Sequence, residues 1–464
     1  MAGRRRSDGR YAGNDGDGDR PRHVRQVRGI AGTGAGRRRR PARRHRVAIV
    51  LTLVAALVAV ALVVAFLVSP GLRRTLDLAD AGDAADAMAR SSQSSGANAG
   101  TTGTANADVS RDAVPSPTDP ALTKARRLVA DMSLEERVGQ LVMAPLFAGD
   151  DASTLKTAIA ERHVGSVLII GNWKSGVTGV RKATDALQSY APQTNRLIMA
   201  TDQEGGLVQH LKGAGFDTMP SPVRQGAMPV DELRRSAGVW GAQLKDAGIN
   251  VDLAPVLGTV TIERKSNAPV GALNRDFGLD AAGNAAHGAA FVEGLRDAGV
   301  QSSIKHYPGL GAVQGNTDFT ANGILDTTTT ADGTQIGAFH TVLDQAKPAM
   351  VMMSLATYQQ IDPDNPAAFS PTIVDGLLRG THGFDGVVTS DSLSAEAVGH
   401  IPTDQLGVKF IEAGGDLACI GQSADITPIL DGLNARAKAD QTFAQKVTES
   451  ATRVMRLKVQ MGLA

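Results

Sequence analysis

The stretch Ser303-Ile304-Lys305-His306-Tyr307-Pro308-Gly309-Leu310-Gly311 joins the end of an apolar run to a glycine-rich loop. Its first two residues are typical of the end of a buried strand, and a lysine and a histidine follow at once. Proline and two glycines then end the strand. An α/β barrel carries its functional side chains at the carboxyl ends of parallel strands. The stretch therefore has two interpretations: part of an active site, or a buried lysine paired with a carboxylate beside an ordinary turn.

Eight short apolar runs alternate with helix-like segments after residue 121. The runs cover residues 141–147, 165–171, 197–202, 251–256, 301–306, 349–354, 386–391 and 416–421. The helix-like segments include residues 121–140, with a capping-box pattern at Ser133 and Glu136, and residues 230–247, 280–298, 332–346, 402–414 and 440–460. Continuous apolar runs separated by helices are typical of parallel strands covered by helices. We therefore predict an α/β fold, a (β/α)8 TIM-type barrel, over residues 119–464. The alternative is an open doubly wound sheet, although no Gly-x-Gly-x-x-Gly pattern follows the first run.

The formal net charge of +1 conceals a strong asymmetry between the N-terminus and the rest of the chain. Residues 1–46 contain fifteen Arg and four Asp, a net charge of +11, so the remaining residues carry −10. The segment lacks apolar periodicity, and we predict a disordered, basic, cytoplasmic tail. A basic run can also bind nucleic acid, but no folded nucleic-acid-binding motif accompanies it. We therefore expect no nucleic-acid partner.

A run of 22 uncharged and mostly apolar residues, 47–68, follows the basic tail directly. At about 1.5 Å per residue it spans roughly 33 Å, enough to cross a bilayer core. We predict a single-pass transmembrane helix at residues 47–69, with the basic side in the cytoplasm and the barrel outside the cell membrane. The alternative is a cleaved signal peptide, but the run is long for one and no small-x-small site follows it immediately. Residues 70–118, rich in Ser, Gly, Ala and Pro, are predicted to be a flexible linker.

Charged side chains stand at the ends of three predicted strands. Asp202 ends the third strand, Lys305 and His306 end the fifth, and Asp391 ends the seventh. The sequence has no His-x-x-x-His pattern and no Gly-Lys-Ser/Thr phosphate loop, and we expect neither a metal nor an organic cofactor. The absence of a Gly-x-Ser-x-Gly elbow argues against a serine hydrolase. Carboxylates beside cations suit a carbohydrate substrate, because a retaining glycosidase needs an ionised nucleophile and neighbouring cations keep a carboxylate ionised.

Five motifs in one order carry a family resemblance. They are Asp202-Gln203-Glu204-Gly205-Gly206, Ala254-Pro255-Val256-Leu257, Asn274-Arg275-Asp276-Phe277-Gly278, Lys305 to Gly311, and Phe384 to Leu393. Together they resemble glycoside hydrolase family 3, most of all its single-domain β-N-acetylhexosaminidases, over residues 121–464. The resemblance implies a barrel hydrolase acting on β-linked N-acetylglucosamine, typically in peptidoglycan fragments. We expect the protein to be a monomer. It implies Asp391 as the nucleophile, and Asp202, Arg275, Lys305 and His306 as the sugar-binding residues.

The loop at residues 312–320 departs from the family pattern. In these hexosaminidases the loop after the Lys-His motif carries Asp-Ser-His, and the histidine donates the proton. Here Asp318 matches the aspartate, but Thr320 stands in place of the histidine and the loop is two residues longer. We expect Asp318 to be the proton donor, with Phe319 excluding water and so raising the pKa of its carboxyl. The alternative is a catalytically silent carbohydrate-binding or scaffold protein of the cell envelope.

Overall fold

Eight parallel strands form the centre of the structure, a computed structural model that describes residues 119–464. They are β1 Val142–Phe147, β2 Ser166–Ile170, β3 Ile198–Thr201, β4 Val251–Asp252, β5 Gln301–Tyr307, β6 Met350–Met353, β7 Val387–Ser390 and β8 Ala418–Cys419. Each strand pairs with the next from β1 to β7, and β8 pairs with β1. A bridge between Thr389 and Leu417 brings the two ends of the sheet together. The predicted mixed α/β fold is confirmed as a nearly closed parallel barrel, and the open-sheet alternative is wrong.

Helices cover the outside of the barrel. They are α1 Pro120–Asp131, α2 Leu134–Gln140, α3 Lys156–Ala160, α4 Gly176–Gln188, α5 Pro222–Gly226, α6 Val230–Asp246, α7 Ala281–Asp297, α8 Thr334–Gln345, α9 Thr403–Glu412, α10 Ile426–Ala439 and α11 Gln441–Gln460. A π-helix, Thr372–Thr381, stands between β6 and β7.

The segment predicted as one helix over residues 121–140 is two helices. Ser133 lies between them in an extended conformation and begins α2. Its Oγ accepts a hydrogen bond from Glu136 N at 3.1 Å, and Glu136 Oε2 accepts one from Ser133 N at 2.7 Å. This reciprocal capping box satisfies amide groups at the start of a helix, so it marks a new N-terminus inside the predicted stretch.

Strand β4 is shorter than the predicted residues 251–256. Pro255 has no amide hydrogen to donate, so the regular ladder stops before it. The pairing with β5 resumes beyond the proline, where Leu257 N donates to Lys305 O at 2.8 Å. The chain after β4 therefore still runs beside β5, and it brings the following loop to the carboxyl end of the barrel.

Apolar side chains fill both the inside of the barrel and the layer between strands and helices. The inner cluster takes one or two residues from nearly every strand: Met143, Leu168, Ile198, Ala200, Val251, Leu253, Met350, Met352, Val387, Leu417 and Cys419. All are almost fully buried. Since the interior is packed, polar side chains gather above it, at the carboxyl ends of the strands.

The described chain begins at the amino ends of the strands, on the face of the barrel opposite the polar side chains. Asp119 Oδ2 pairs with Arg456 Nε at 2.7 Å, and Arg456 Nη1 pairs with Asp385 Oδ2 at 2.8 Å. Asp385 lies just before β7, at its amino end. The predicted basic tail, transmembrane helix and linker, residues 1–118, lie outside the described residues. Within residues 119–464, none of the helices is long and apolar enough to cross a membrane.

Candidate active site

A cavity of about 390 Å³ opens at the carboxyl ends of the strands. All six side chains that the sequence predicts for the site line it: Asp202, Arg275, Lys305, His306, Asp318 and Asp391. They come from the segments that follow β3, β4, β5 and β7, and from β5 itself. The barrel thus brings together residues that lie almost 190 positions apart in the sequence.

A short hairpin that follows β3 carries Asp202, which lines the cavity, and Glu204, which lies buried beside Lys305. The hairpin pairs Gln203–Gly205 with Val208–Gln209. Side chains alternate along an extended segment, so positions two apart point to the same side. Gly205 has a φ of 102°, which favours glycine and lets the hairpin turn back over the barrel.

Glu204 forms the centre of a buried charge network. Its two carboxylate oxygens accept from Arg275 Nη2 at 2.7 Å and Nε at 2.9 Å, and Lys305 Nζ lies 2.7 Å from Oε1. Burial alone would raise the pKa of Glu204, but the two cations hold it well below its usual value. Burial also opposes the charge on Arg275, yet Glu204 raises the pKa of that guanidinium. Both partners are therefore ionised.

Lys305 and His306 are buried neighbours with different charge states. Burial opposes the charge on Lys305, but its salt bridges to Asp202 and Glu204 raise the pKa of the ammonium above its usual value. For His306, burial and the nearby cations Arg275 and Lys305 together lower the pKa well below its usual value. His306 is therefore neutral at pH 7, and its Nε2 lies 3.9 Å from Asp391 Oδ2.

Arg275 is held by the loop that follows β4. Its Nη1 donates to Pro269 O at 2.9 Å. Buried Asn267 ties this loop to the one after β5, because its amide donates to Leu310 O at 2.8 Å and to Val313 O at 2.7 Å. The loop that carries Arg275 is thus fixed to the loop that follows Lys305 and His306.

Asp391 stands directly after β7 in a different electrostatic environment. Its Oδ1 accepts from Ser392 N at 2.8 Å, and its carboxyl makes no close ion pair with Arg275 or Lys305 among the described contacts. Burial raises its pKa to about 7, and repulsion from Asp318 adds to the effect. Restricted access to water also raises the pKa of Asp318, with Arg275 opposing the shift and Asp202 adding to it. The two carboxyls therefore interact across the cavity.

Asp318 lies in a turn at the rim of the cavity. Asn316 organises this turn, because its Oδ1 accepts from Asp318 N at 3.0 Å and its carbonyl accepts from Phe319 N at 3.0 Å. Thr320 braces the next turn, with its Oγ1 accepting from Asn322 N at 2.9 Å. Phe319 is 79% exposed, so the prediction that it shields Asp318 from water is wrong. Asp318 is itself an exposed residue at this rim.

Two further side chains of the site were missed by the sequence interpretation: Glu204, which contacts Arg275 and Lys305, and His210, which lines the cavity. Glu204 could have been found from its spacing, since it lies two residues after Asp202 in an extended motif. His210 gives no comparable signal. Its Nδ1 donates to Gly171 O at 2.8 Å, which leaves Nε2 facing the cavity, 4.0 Å from Asp202 Oδ2. Within residues 119–464, no group of three or more His, Cys, Asp and Glu side chains is arranged to hold a metal ion.

Comparison with known proteins places the chain in a family. The sequence model of the glycosyl hydrolase family 3 N-terminal domain matches residues 133–457. The chain therefore belongs to glycosyl hydrolase family 3 and is a glycosidase, and it resembles the hexosaminidases of that family.

Three relatives illustrate this resemblance. The chain is 29% identical to the β-hexosaminidase LpqI of Mycobacterium tuberculosis, over 74% of this chain and 89% of LpqI. A crystal structure of a β-N-acetylhexosaminidase from Beutenbergia cavernae is 42% identical with a TM-score of 0.69, over 71% of this chain and 99% of that one. The structure of a family 3 β-N-acetylglucosaminidase from Paenibacillus sp. is 26% identical with a TM-score of 0.63, over 72% of this chain and 63% of that one.

Proposed function

We propose that the protein is a retaining β-N-acetylhexosaminidase that removes terminal β-linked N-acetylglucosamine from cell-wall fragments. The observation that carries this proposal is the pair of interacting carboxyls, Asp318 and Asp391, in a cavity that also holds a fixed cationic network. A retaining glycosidase needs one ionised carboxylate and one proton donor facing each other. The names of the relatives support N-acetylglucosamine as the sugar.

In the first step, the Asp391 carboxylate attacks the anomeric carbon and forms a glycosyl ester. The bond from that carbon to the glycosidic oxygen breaks, and Asp318 gives its proton to the departing oxygen. The pair suits this step because the mutual repulsion of the two carboxyls favours a state with one proton between them. The productive arrangement places that proton on Asp318.

In the second step, the Asp318 carboxylate takes a proton from a water molecule. The water oxygen attacks the anomeric carbon, and the bond to Asp391 breaks. The sugar leaves with the β configuration that it had in the substrate. Asp318 is again protonated and Asp391 again ionised, so the site is ready for another cycle.

The other side of the cavity binds the sugar. Asp202, Arg275 and Lys305 present fixed charges that can accept from and donate to hydroxyl groups. Neutral His306 adds a hydrogen-bonding group without adding charge. Because Glu204 and the inter-loop contacts hold these side chains in place, little order has to be gained when the substrate binds.

The test is hydrolysis of aryl β-glycosides by the purified protein. We expect the N-acetylglucosaminide to be cleaved faster than the glucoside and the galactoside, and the first product to have the β configuration. An α product would overturn the retaining mechanism. Binding of N-acetylglucosamine oligomers without hydrolysis of any substrate would favour the silent carbohydrate-binding alternative, which the replacement of the loop histidine by Thr320 suggests.

We also propose that residues 47–69 anchor the enzyme in the cell membrane, with the barrel outside. The basic run before the apolar segment supports this orientation. The described chain starts at the face opposite the cavity, so the linker would join the barrel away from the active site. Protease added to intact cells without their wall should digest the barrel and spare the tail. A mature protein that begins near residue 70 would instead show a cleaved signal.

A further inference from the structure

Phe319 is an exposed aromatic side chain at the rim of the cavity. It is 79% exposed, whereas nearly all other large apolar side chains in the described chain are buried. It also lines the cavity, together with Asn316, Thr317 and Asp318. When a ligand covers an apolar ring that faces solvent beside a cavity, apolar surface is removed from water, and this stabilises the complex.

The turn that carries Phe319 is fastened to the barrel. Phe319 N and Thr320 N both donate to Asn316 O, at 3.0 and 3.1 Å. On its other side, the turn accepts two backbone hydrogen bonds from the segment after Asp391: Ala397 N donates to Thr317 O at 3.0 Å and Glu396 N donates to Asp318 O at 3.3 Å. The turn is therefore held next to the segment that carries the nucleophile, although the ring itself has few packing partners.

The chemistry of the donor says which part of a substrate lies near this turn. A proton donor stands beside the oxygen of the leaving group, because that oxygen receives the proton. Asp318 and Phe319 are neighbours in one turn, so a group beside Phe319 lies on the leaving-group side of the scissile bond. A pyranose ring has apolar faces of C–H groups, and an aromatic ring packs well against such a surface.

We propose that Phe319 forms the binding site for the leaving sugar, stacking against a pyranose ring joined through a β-linkage to the N-acetylglucosamine that is removed. This inference rests on the proposed function, in which Asp318 is the proton donor. It assigns the enzyme to substrates with at least two sugars. It also separates two tasks: the charged side of the cavity recognises the sugar that is transferred, and Phe319 recognises the sugar that leaves.

Leu207 provides a matched control. It is 73% exposed and lies at the turn of the hairpin after β3, also at the carboxyl end of the barrel, but it does not line the cavity. Truncating Leu207 removes a similar amount of exposed apolar surface from the same end of the barrel. A general effect of surface hydrophobicity would appear in both variants, whereas a sugar-binding platform would be lost only at Phe319.

The first test is binding to the full-length protein with Asp391→Asn, which keeps bound substrates uncleaved. Calorimetry would compare a β-1,4-linked N-acetylglucosamine disaccharide with the monosaccharide. We expect Phe319→Ala to weaken disaccharide binding about tenfold and to leave monosaccharide binding unchanged. Phe319→Tyr should retain the affinity for the disaccharide, and Leu207→Ala should change the affinity for neither ligand. Equal affinities of the Phe319→Ala variant and its parent for the disaccharide would overturn the inference, as would an equal loss for both ligands.

The second test is kinetic and uses the protein with Asp391 intact. Phe319→Ala should lower kcat/KM for the disaccharide about tenfold and leave hydrolysis of N-acetyl-β-glucosaminyl fluoride unchanged, because fluoride has no ring to stack. The alkaline limb of the pH profile should stay in place; a shift would mean that Phe319 acts only by positioning Asp318. If neither substrate is hydrolysed by the unmodified protein, the proposed function fails, and the binding test still decides the role of Phe319.

Discussion

Glu204 and Asp391 are buried carboxyls in the same barrel mouth with opposite electrostatic surroundings. Glu204 contacts Arg275 and Lys305 at 2.7 Å, and these cations hold its pKa well below the usual value. Burial raises the pKa of Asp391 to about 7, repulsion from the Asp318 carboxyl adds to the rise, and the hydrogen bond from Ser392 N opposes it. Burial acts in the same direction on both groups, and the neighbouring charges decide the outcome.

In the proposed mechanism, this difference corresponds to a binding side and a reacting side of the site. On the proposed binding side, Arg275 and Lys305 form salt bridges with Glu204, and the pKa shifts of these three groups keep all of them charged near neutral pH. On the proposed reacting side, neither Asp318 nor Asp391 forms a salt bridge with a lysine or arginine within residues 119–464, and repulsion from Asp318 adds to the raised pKa of Asp391. In the proposed mechanism the proton moves within the Asp318–Asp391 pair, while Glu204, Arg275 and Lys305 keep their charges.

The largest effect is expected from Asp391→Asn. The amide keeps the shape of the side chain but cannot form the glycosyl ester, so kcat should fall about 10³-fold or more, which corresponds to about 4 kcal/mol in the barrier. Steady-state rates with an aryl N-acetylglucosaminide would measure the loss, and circular dichroism would verify the fold. Asp404→Asn, at an exposed position on α9, serves as the control and should change neither the rate nor the circular dichroism spectrum. Activity near normal in the Asp391 variant would remove this residue from its role.

Glu204→Gln tests the binding side of the comparison. The neutral amide leaves Arg275 and Lys305 buried without their shared counter-charge, so the free energy of unfolding should fall by about 3 kcal/mol. Urea-induced unfolding at pH 7 would measure it. Glu293→Gln is a matched control, since Glu293 pairs with Arg234 at 2.7 Å on the surface and its loss should cost at most about 1 kcal/mol. Equal losses in the two variants would mean that the buried network contributes no more than a surface pair.

Asp318→Ala tests the reacting side. A proton donor matters most for a poor leaving group, so hydrolysis of a natural disaccharide should fall about 10²-fold, and cleavage of an activated aryl glycoside much less. Azide should restore turnover of the aryl substrate, because it attacks the glycosyl ester without a general base. Thr320→Ala, in the same loop, should leave both substrates unaffected. If Asp318→Ala slows the two substrates equally and azide has no effect, Asp318 only braces the loop.

The sequence predicted the barrel because its signal is local. Each strand is a short apolar run, and the residues that follow β3, β5 and β7 are charged, so both the eight strands and the position of the cavity could be read along the chain. The boundary between α1 and α2 within residues 121–140 was harder to predict. The capping-box pattern at Ser133 and Glu136 was recognised, but it was placed inside one helical stretch, whereas it begins a second helix.

The partners inside the site could not be predicted in the same way. Glu204 is ionised because Arg275, 71 residues later, reaches it, and no local pattern records that contact. The environment of Phe319 was also predicted incorrectly, since a sequence shows that an aromatic residue follows an acid but not which way the turn directs its ring. Local rules thus locate the cavity, whereas its charge states depend on contacts between distant loops.

Asp252→Asn is expected to have the smallest effect on activity, and it completes the comparison. Asp252 is a third buried carboxyl near this cavity, and burial raises its pKa from 3.8 to about 8. The folded protein therefore keeps a proton that the unfolded chain releases above about pH 4, so this group makes stability fall as the pH rises from about 4 to 8. An asparagine resembles the protonated acid, and its Oδ1 can still accept the 2.9 Å hydrogen bond from Gln203 N. Urea unfolding at pH 5 and pH 8 should show a smaller decline in the variant, with kcat/KM close to that of the unmodified protein. A loss of stability like that of Glu204→Gln would instead mean that Asp252 is ionised in the folded protein and paired with Lys305.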